Sequence, residues 1–457
     1  MLFTSNARGN RLPPKTTRAS AWWSIYDPLA FVTDNLQRYP DVFRSGLLGF
    51  SAYVVHHPEY IHHVLSANAR NYRKFEKYRY LRLLGGNGLV TNEGQCWVRQ
   101  RQRIQPAFNH AAIDRASATM AEESEAMVLR LARHTPLTCN LAELMGELTI
   151  AIVARALFSA DVAAYVPTIR SELEQSQRLG NILLRTPLPL YNVVPYLPVF
   201  RRITEAAERL REIVSMLIAR RRASATRPGD LLDALLNAQA DEESPMSDEQ
   251  LRDEVLTLLL AGHETTLLAL SWAIHLTALH PTVYDRLHDE AANVMRRGVS
   301  GIASLDAAPW SRAVAREALR LYPPAYWIGR TAVDDDRIGE YDVPRGTNLV
   351  INIYGMHRHP AYWSNPNDFQ PERMLDPQAW DPKRFVFLPF GVGPRSCIGS
   401  RFSLYEMQVV LLSFAHAFAF TPVSDGTVHA HPRITLAPSR PIAVRLSPLR
   451  SPLRIYK

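Results

Sequence analysis

The stretch from Val255 to Leu279 most constrains what this chain can fold into: it is the most hydrophobic part of the sequence, yet His263, Glu264, Thr265 and Thr266 interrupt it. Consecutive polar residues at that position argue against a membrane span and for a helix buried inside a large protein. Ser247 and Gln250 carry the S-x-x-Q spacing of a capping box at its start, and Pro281 limits its end. A helix that long needs neighbours on every side. A chain of 457 residues, 47% of them hydrophobic, can supply them.

The neighbours are mostly helical. From Asp114 to Arg222 the apolar spacing follows a helical period, as in Leu141, Leu144, Leu148, Ile152 and Ala156, with a break expected at Pro187 to Pro198. Further helices are expected at Pro58, around Ser311 to Leu321 and after Ile398, and short strands around Ala52 to Val55 and Thr347 to Ile353. Neither a repeat nor a low-complexity linker divides the chain. The expectation is a mainly α fold with small β-sheets, one domain over residues 1–457, with residues 1–20 a flexible N-terminal segment. That segment holds Arg8, Arg11, Lys15 and Arg18 but no apolar run for a signal peptide or membrane anchor. Cys96, Cys139 and Cys397 are odd in number and far apart, which fits neither a disulfide framework nor a zinc ribbon. A cytoplasmic location follows as the expectation. The net charge of +8 comes without basic runs interleaved with aromatics, so nucleic acid is not expected as a partner.

Three clusters carry possible chemistry. In Phe390-Gly391-Val392-Gly393-Pro394-Arg395-Ser396-Cys397-Ile398-Gly399, a cysteine stands at a helix entrance behind a glycine-rich turn. Amide groups there can stabilise a thiolate, and glycines let a flat cofactor approach the backbone. In Ala261-Gly262-His263-Glu264-Thr265-Thr266, the small Ala261 and Gly262 would open space beside the helix. Thr265 can bond a carbonyl one turn back. His263-Glu264 also begins an H-E-x-x-H zinc motif, but the second histidine position is Leu267, so His263 reads as a packing residue. The doublets His56-His57 and His62-His63 read as solvated surface. Finally, Glu317 and Arg320 share a helix face.

The first cluster matches F-x-x-G-x-R-x-C-x-G at every fixed position, and the chain resembles the cytochrome P-450 superfamily. The second is similar to that family's A-G-x-[ED]-T pattern, Trp97 and Arg101 to its W-x-x-x-R helix, and Pro371-Glu372-Arg373-Met374 to its P-E-R-F element, with Met374 replacing the usual Phe. The resemblance spans Trp97 to Gly399 and implies haem b between the long helix and the cysteine loop, with Cys397 as axial thiolate. Phe390, Gly391, Gly399, Ala261 and Gly262 would adjoin the cofactor, and Trp97, Arg101, Arg330 and Arg395 would meet its propionates. Glu264 and Thr265 would steer protons to iron-bound oxygen, while Glu317, Arg320 and Arg373 would form a structural network behind the cysteine loop. The implied enzyme is a monooxygenase that uses dioxygen to hydroxylate or epoxidise a lipophilic molecule such as a terpenoid, fatty acid or polyketide. No flavin, dinucleotide or iron–sulfur motif occurs, so electrons from NAD(P)H are expected through a ferredoxin or flavodoxin and its reductase. Arg99, Arg103 and Arg401 offer a basic docking face, and a monomer is expected. A haem-thiolate isomerase, dehydratase or peroxygenase, or a haem-based sensor, would not need the Glu264-Thr265 pair. Pocket residues are expected from Tyr72 to Val90, Leu183 to Tyr196, the helix before Ala261, and Ala325 to Ile328.

Overall fold

In the computed structural model the long apolar stretch is one helix of 32 residues, Asp248–Leu279, here called the central helix. Ser247 caps it, its hydroxyl accepting the Gln250 amide at 3.1 Å. The helix is long and apolar enough to cross a membrane, but 67% of its most apolar window is buried inside the fold, which makes it a core helix. The structure describes residues 11–47, 50–134, 136–185, 198–240, 245–298, 301–423 and 427–449.

Helix Leu141–Phe158 runs against the central helix, and glycines set how closely the two approach. A Cβ on Gly262 would stand 3.0 Å from Val153 Cγ2, and one on Gly146 would stand 3.6 Å from His263 Cε1. His263 is buried there, its Nδ1 2.9 Å from Thr149 Oγ1. Helices Pro309–Leu321 and Ser400–Ala417 cover other faces, and Trp272 stacks on Tyr322 with ring centres 3.7 Å apart. The expected break at Pro187 to Pro198 falls on residues 186–197, outside the described residues.

A mixed five-stranded sheet lies to one side, in the order Val42–Leu47, Phe50–Val55, Asn348–Asn352, Trp327–Ala332, Tyr72–Lys74. Its last two strands pair antiparallel with Lys74 opposite Arg330. A three-stranded sheet joins Leu137–Asn140 to Ala443–Pro448 and Phe418–Pro422 near the C-terminus, and the hairpin Ala430–Pro432/Leu436–Pro438 lies between those last two strands in sequence. The glycine-rich loop before Trp97 is clamped to the central helix. Asn87 N–H donates to Asp253 Oδ2 at 2.7 Å and Leu89 N–H to Glu254 Oε2 at 2.9 Å.

Part of the N-terminal segment is tied to the sheet: Thr16 N–H donates to Arg44 O at 3.0 Å, Arg44 N–H to Pro14 O at 2.8 Å, and Asp342 N–H to Arg11 O at 2.9 Å. The first two of these bonds satisfy the outward backbone groups of Arg44 on the edge strand Val42–Leu47. The histidine doublets are not simply solvated. His56 is fully buried with Nε2 2.6 Å from Tyr39 O, and His63 Nε2 lies 2.9 Å from Asp336 Oδ2. They are carried inward by the end of strand Phe50–Val55 and the turn of helix that follows it; His62 stays exposed. Among the described residues no three side chains form a metal-binding group.

Candidate functional site

The cysteine loop is shaped by two glycines at positive φ, Gly391 at 63° and Gly393 at 75°. At Gly393 a Cβ would come within 1.9 Å of Leu65 O, so only glycine fits. Cys397 N–H donates to Phe390 O at 2.8 Å, folding the loop back so that the thiol stands just ahead of helix Ser400–Ala417. Cys397 is exposed by its accessible surface yet closely surrounded by protein atoms, which together describe a sulfur at the floor of a recess. Burial pushes its thiol pKa up, while the Gly399 amide and the Arg101 guanidinium pull it down.

Behind the loop, Glu317 and Arg320 are both fully buried and joined by two bonds of 2.8 Å. Arg373 Nε adds a third contact to Glu317 Oε1 at 3.1 Å. Arg320 also donates to His357 O, Pro366 O and Asp368 O, so it holds the irregular chain that leads towards Cys397. Met374 is buried beside this network without displacing Arg373. His357 completes the link. Its Nε2 accepts the Leu388 amide at 2.7 Å, and its Nδ1 lies 3.0 Å from Arg320 O. Burial and the Arg320 charge hold its pKa down to about 3, which keeps Nε2 an acceptor. Sequence reading missed His357 because nothing in its neighbourhood distinguishes it from other histidines.

On the central helix, Thr265 Oγ1 donates to Ala261 O at 2.7 Å, one turn back. Ala261 is exposed although Leu258 and Leu259 just before it are buried, so open space lies on this face. At Gly262 the missing side chain also makes room for Val153 on the adjacent helix. Glu264 accepts a hydrogen bond from Thr435 of the C-terminal hairpin. Thr266 Oγ1 lies 3.3 Å from Ser403 Oγ, tying the central helix to the helix that follows Cys397.

Four cations converge on the recess. Arg101 donates to Ser396 O at 2.8 Å, and Arg395 lies 4.3 Å above the Trp97 ring while pairing with Glu93. Arg330 is buried, and Lys74, across the strand pair, donates to Asn92 O at 2.7 Å. Burial lowers the pKa of all four, to about 7 for Lys74, and mutual repulsion adds to it for Arg395 and Lys74. Glu93 is the one carboxylate pairing with this group among the described residues, so the cluster is short of negative charge. Lys74 and Glu93 escaped the sequence reading; the β-pairing that brings Lys74 to Arg330 spans most of the chain.

The sequence profile of the family described as Cytochrome P-450 matches residues 23–444. The chain belongs to the cytochrome P-450 family. It is similar to cyclooctatin synthase from Streptomyces melanosporofaciens, 33% identical over 90% of this chain and 89% of that one. Cyclooctat-9-en-7-ol 5-monooxygenase from the same organism is 32% identical over 88% and 87% of the two chains. Pentalenene oxygenase from Streptomyces avermitilis is 29% identical over 93% and 94%. This cytochrome P-450 is therefore a monooxygenase of a haem-thiolate, dioxygen-using family. Its residues fit the cofactor: a recessed cysteine sulfur suits iron, and the cation excess suits the two propionates of haem. Of the expected docking face, Arg99 and Arg401 are exposed and Arg103 is half-buried. An apolar cavity of about 210 Å³ is lined by Phe31, Leu47, Phe50, Phe75 and Trp327, with Lys77 and Arg433 also on its wall.

Proposed function

We propose that this cytochrome P-450 hydroxylates or epoxidises a terpenoid-like lipophilic substrate, with Cys397 as the iron ligand and Glu264 and Thr265 as the proton-handling pair. The observation that carries the reading is the recessed Cys397 beside a cation cluster that has Glu93 as its one paired carboxylate among the described residues. Arg101, Arg330 and Arg395 would hold the propionates, the Trp97 ring supports Arg395 at 4.3 Å and Arg101 at 5.9 Å, and Lys74 adds a fourth cation. When bound, haem with a donating thiolate supplies dioxygen activation. Thr265, held by its back-bond to Ala261, presents its hydroxyl oxygen beside the open face, and Glu264 one residue earlier hands protons towards it. Electrons come from NAD(P)H through a ferredoxin or flavodoxin and its reductase, docked at Arg99, Arg103 and Arg401, and the enzyme works as a cytoplasmic monomer.

The substrate class accords with the apolar lining of the cavity at Phe75 and Trp327, from two stretches expected to face substrate; its wall comes largely from residues 24–54 and includes no residue of the central helix or the cysteine loop. The substrate class is also supported by relatives whose names refer to cyclooctatin, cyclooctat-9-en-7-ol and pentalenene. The test is incubation of holoenzyme, NADPH and surrogate redox partners with a panel of cyclic terpene hydrocarbons under labelled dioxygen. The expected product gains one labelled oxygen atom and forms only with reductant. Conversion without reductant or dioxygen would instead identify an isomerase or dehydratase.

A further inference from the structure

Thr435 belongs to none of the motifs in the sequence, yet its hydroxyl donates a hydrogen bond to Glu264 Oε1. It lies in the turn of the hairpin Ala430–Pro432/Leu436–Pro438, and Arg433 N–H closes that turn on Thr435 O at 3.0 Å. The turn is wedged among elements that flank the central helix. Leu436 N–H donates to Pro324 O at 3.0 Å, and Tyr326 Oη to Arg433 O at 2.9 Å. On the other side Ile434 packs over Gly180 of helix Val166–Arg185, where a Cβ would stand 2.8 Å from Ile434 Cδ1. Pro324 precedes the Ala325–Ile328 stretch expected to face the pocket and Tyr326 lies within it, and Tyr326, Trp327 and Arg433 share the cavity wall, so a ligand that shifts this stretch shifts the hairpin.

We propose that Thr435 is a positioning residue that sets where the Glu264 carboxyl group points, and so makes proton supply at the central helix depend on the hairpin and on what occupies the pocket beside it. This rests on the reading of Glu264 as a proton donor. A glutamate has three side-chain torsions, and a hydrogen bond to its charged form restricts them. Proton transfer needs the carboxyl within direct reach, or one water's reach, of its acceptor. The hairpin therefore controls a geometric condition of the reaction without touching the reacting atoms.

The test uses full-length holoenzyme with NADPH, a surrogate plant-type ferredoxin and its reductase, and no organic substrate. Dioxygen then leaves as hydrogen peroxide, taking two electrons and two protons, or as water, taking four of each; failed proton supply favours peroxide. The peroxide-to-water ratio is read across pH beside amide hydrogen exchange of residues 430–438. Glu264→Gln keeps a hydrogen-bond acceptor but loses the proton, so it raises the ratio and leaves hairpin exchange near wild type. Thr435→Val raises the ratio about threefold to tenfold, speeds hairpin exchange, and flattens the pH profile; Thr435→Ser restores all three. The double variant Thr435→Val/Glu264→Gln has a ratio no higher than Glu264→Gln alone. If Thr435→Val loads haem poorly, Thr435→Ala takes its place in the same comparison. A wild-type ratio in the Thr435 variants while Glu264→Gln uncouples would overturn the proposal and leave Glu264's role standing, as would additive effects in the double variant. A wild-type ratio in Glu264→Gln would remove the proton-donor reading and the proposal with it.

Discussion

Glu317 and Arg320 are fully buried, and a buried ion pair is held more by what its removal leaves behind than by its own attraction. Glu317→Gln leaves the Arg320 and Arg373 charges without their carboxylate. The expected loss is about 3–5 kcal/mol in urea unfolding, together with lower haem content, since Arg320 also fixes the carbonyls of His357, Pro366 and Asp368. An unchanged unfolding midpoint would contradict the network. At this scale the sequence was readable where one short segment holds the whole constellation, as around Cys397. It was silent where a residue matters through a distant backbone group. His357 meets Leu388, and Thr435 meets Glu264, across 31 and 171 residues respectively.

The central helix was legible because its cap, its apolar run and its limiting proline lie in one continuous stretch, and the structure has it at Asp248–Leu279. The strand expected at Thr347 to Ile353 is likewise found, as Asn348–Asn352. The docked N-terminal segment and the C-terminal strands were not legible, since such short elements are defined by partners far along the chain. The glycine-rich loop gives this scale its own prediction. Gly86 adopts a φ of 62°, and a Cβ there would lie 2.1 Å from the Asp253 carboxyl group. Gly86→Ala is expected to cost about 1–3 kcal/mol and to speed amide exchange in residues 85–93. Exchange no faster than wild type would show that the clamp on Asp253 and Glu254 does not hold the loop.

For the molecule as a whole, buried titratable groups set the response to acid. His56, His263 and His275 have pKa values lowered to about 4 and His357 to about 3, chiefly by burial. Below pH ~6.5 the unfolded chain binds protons at these four sites while the native protein does not, so stability falls as pH falls. Glu254, raised to about 8, and Glu406, raised well above its usual value, act in the opposite sense because they hold protons in the native state. His359 and His416, also lowered by burial, add to the histidine side, so the histidines outweigh the carboxylates and stability should fall as pH drops from ~6 to ~5. A urea midpoint constant across that window would contradict the burial of these histidines. The fold as a whole presents Cys397 in a recess lined by cations. The carbon-monoxide difference spectrum of the dithionite-reduced protein tests that arrangement most directly, with wild type compared to Cys397→Ser. The account predicts a red-shifted Soret band typical of thiolate ligation in wild type and its loss in the variant. A folded, haem-loaded wild type without that band, or a variant that keeps it, would contradict Cys397 as the iron ligand.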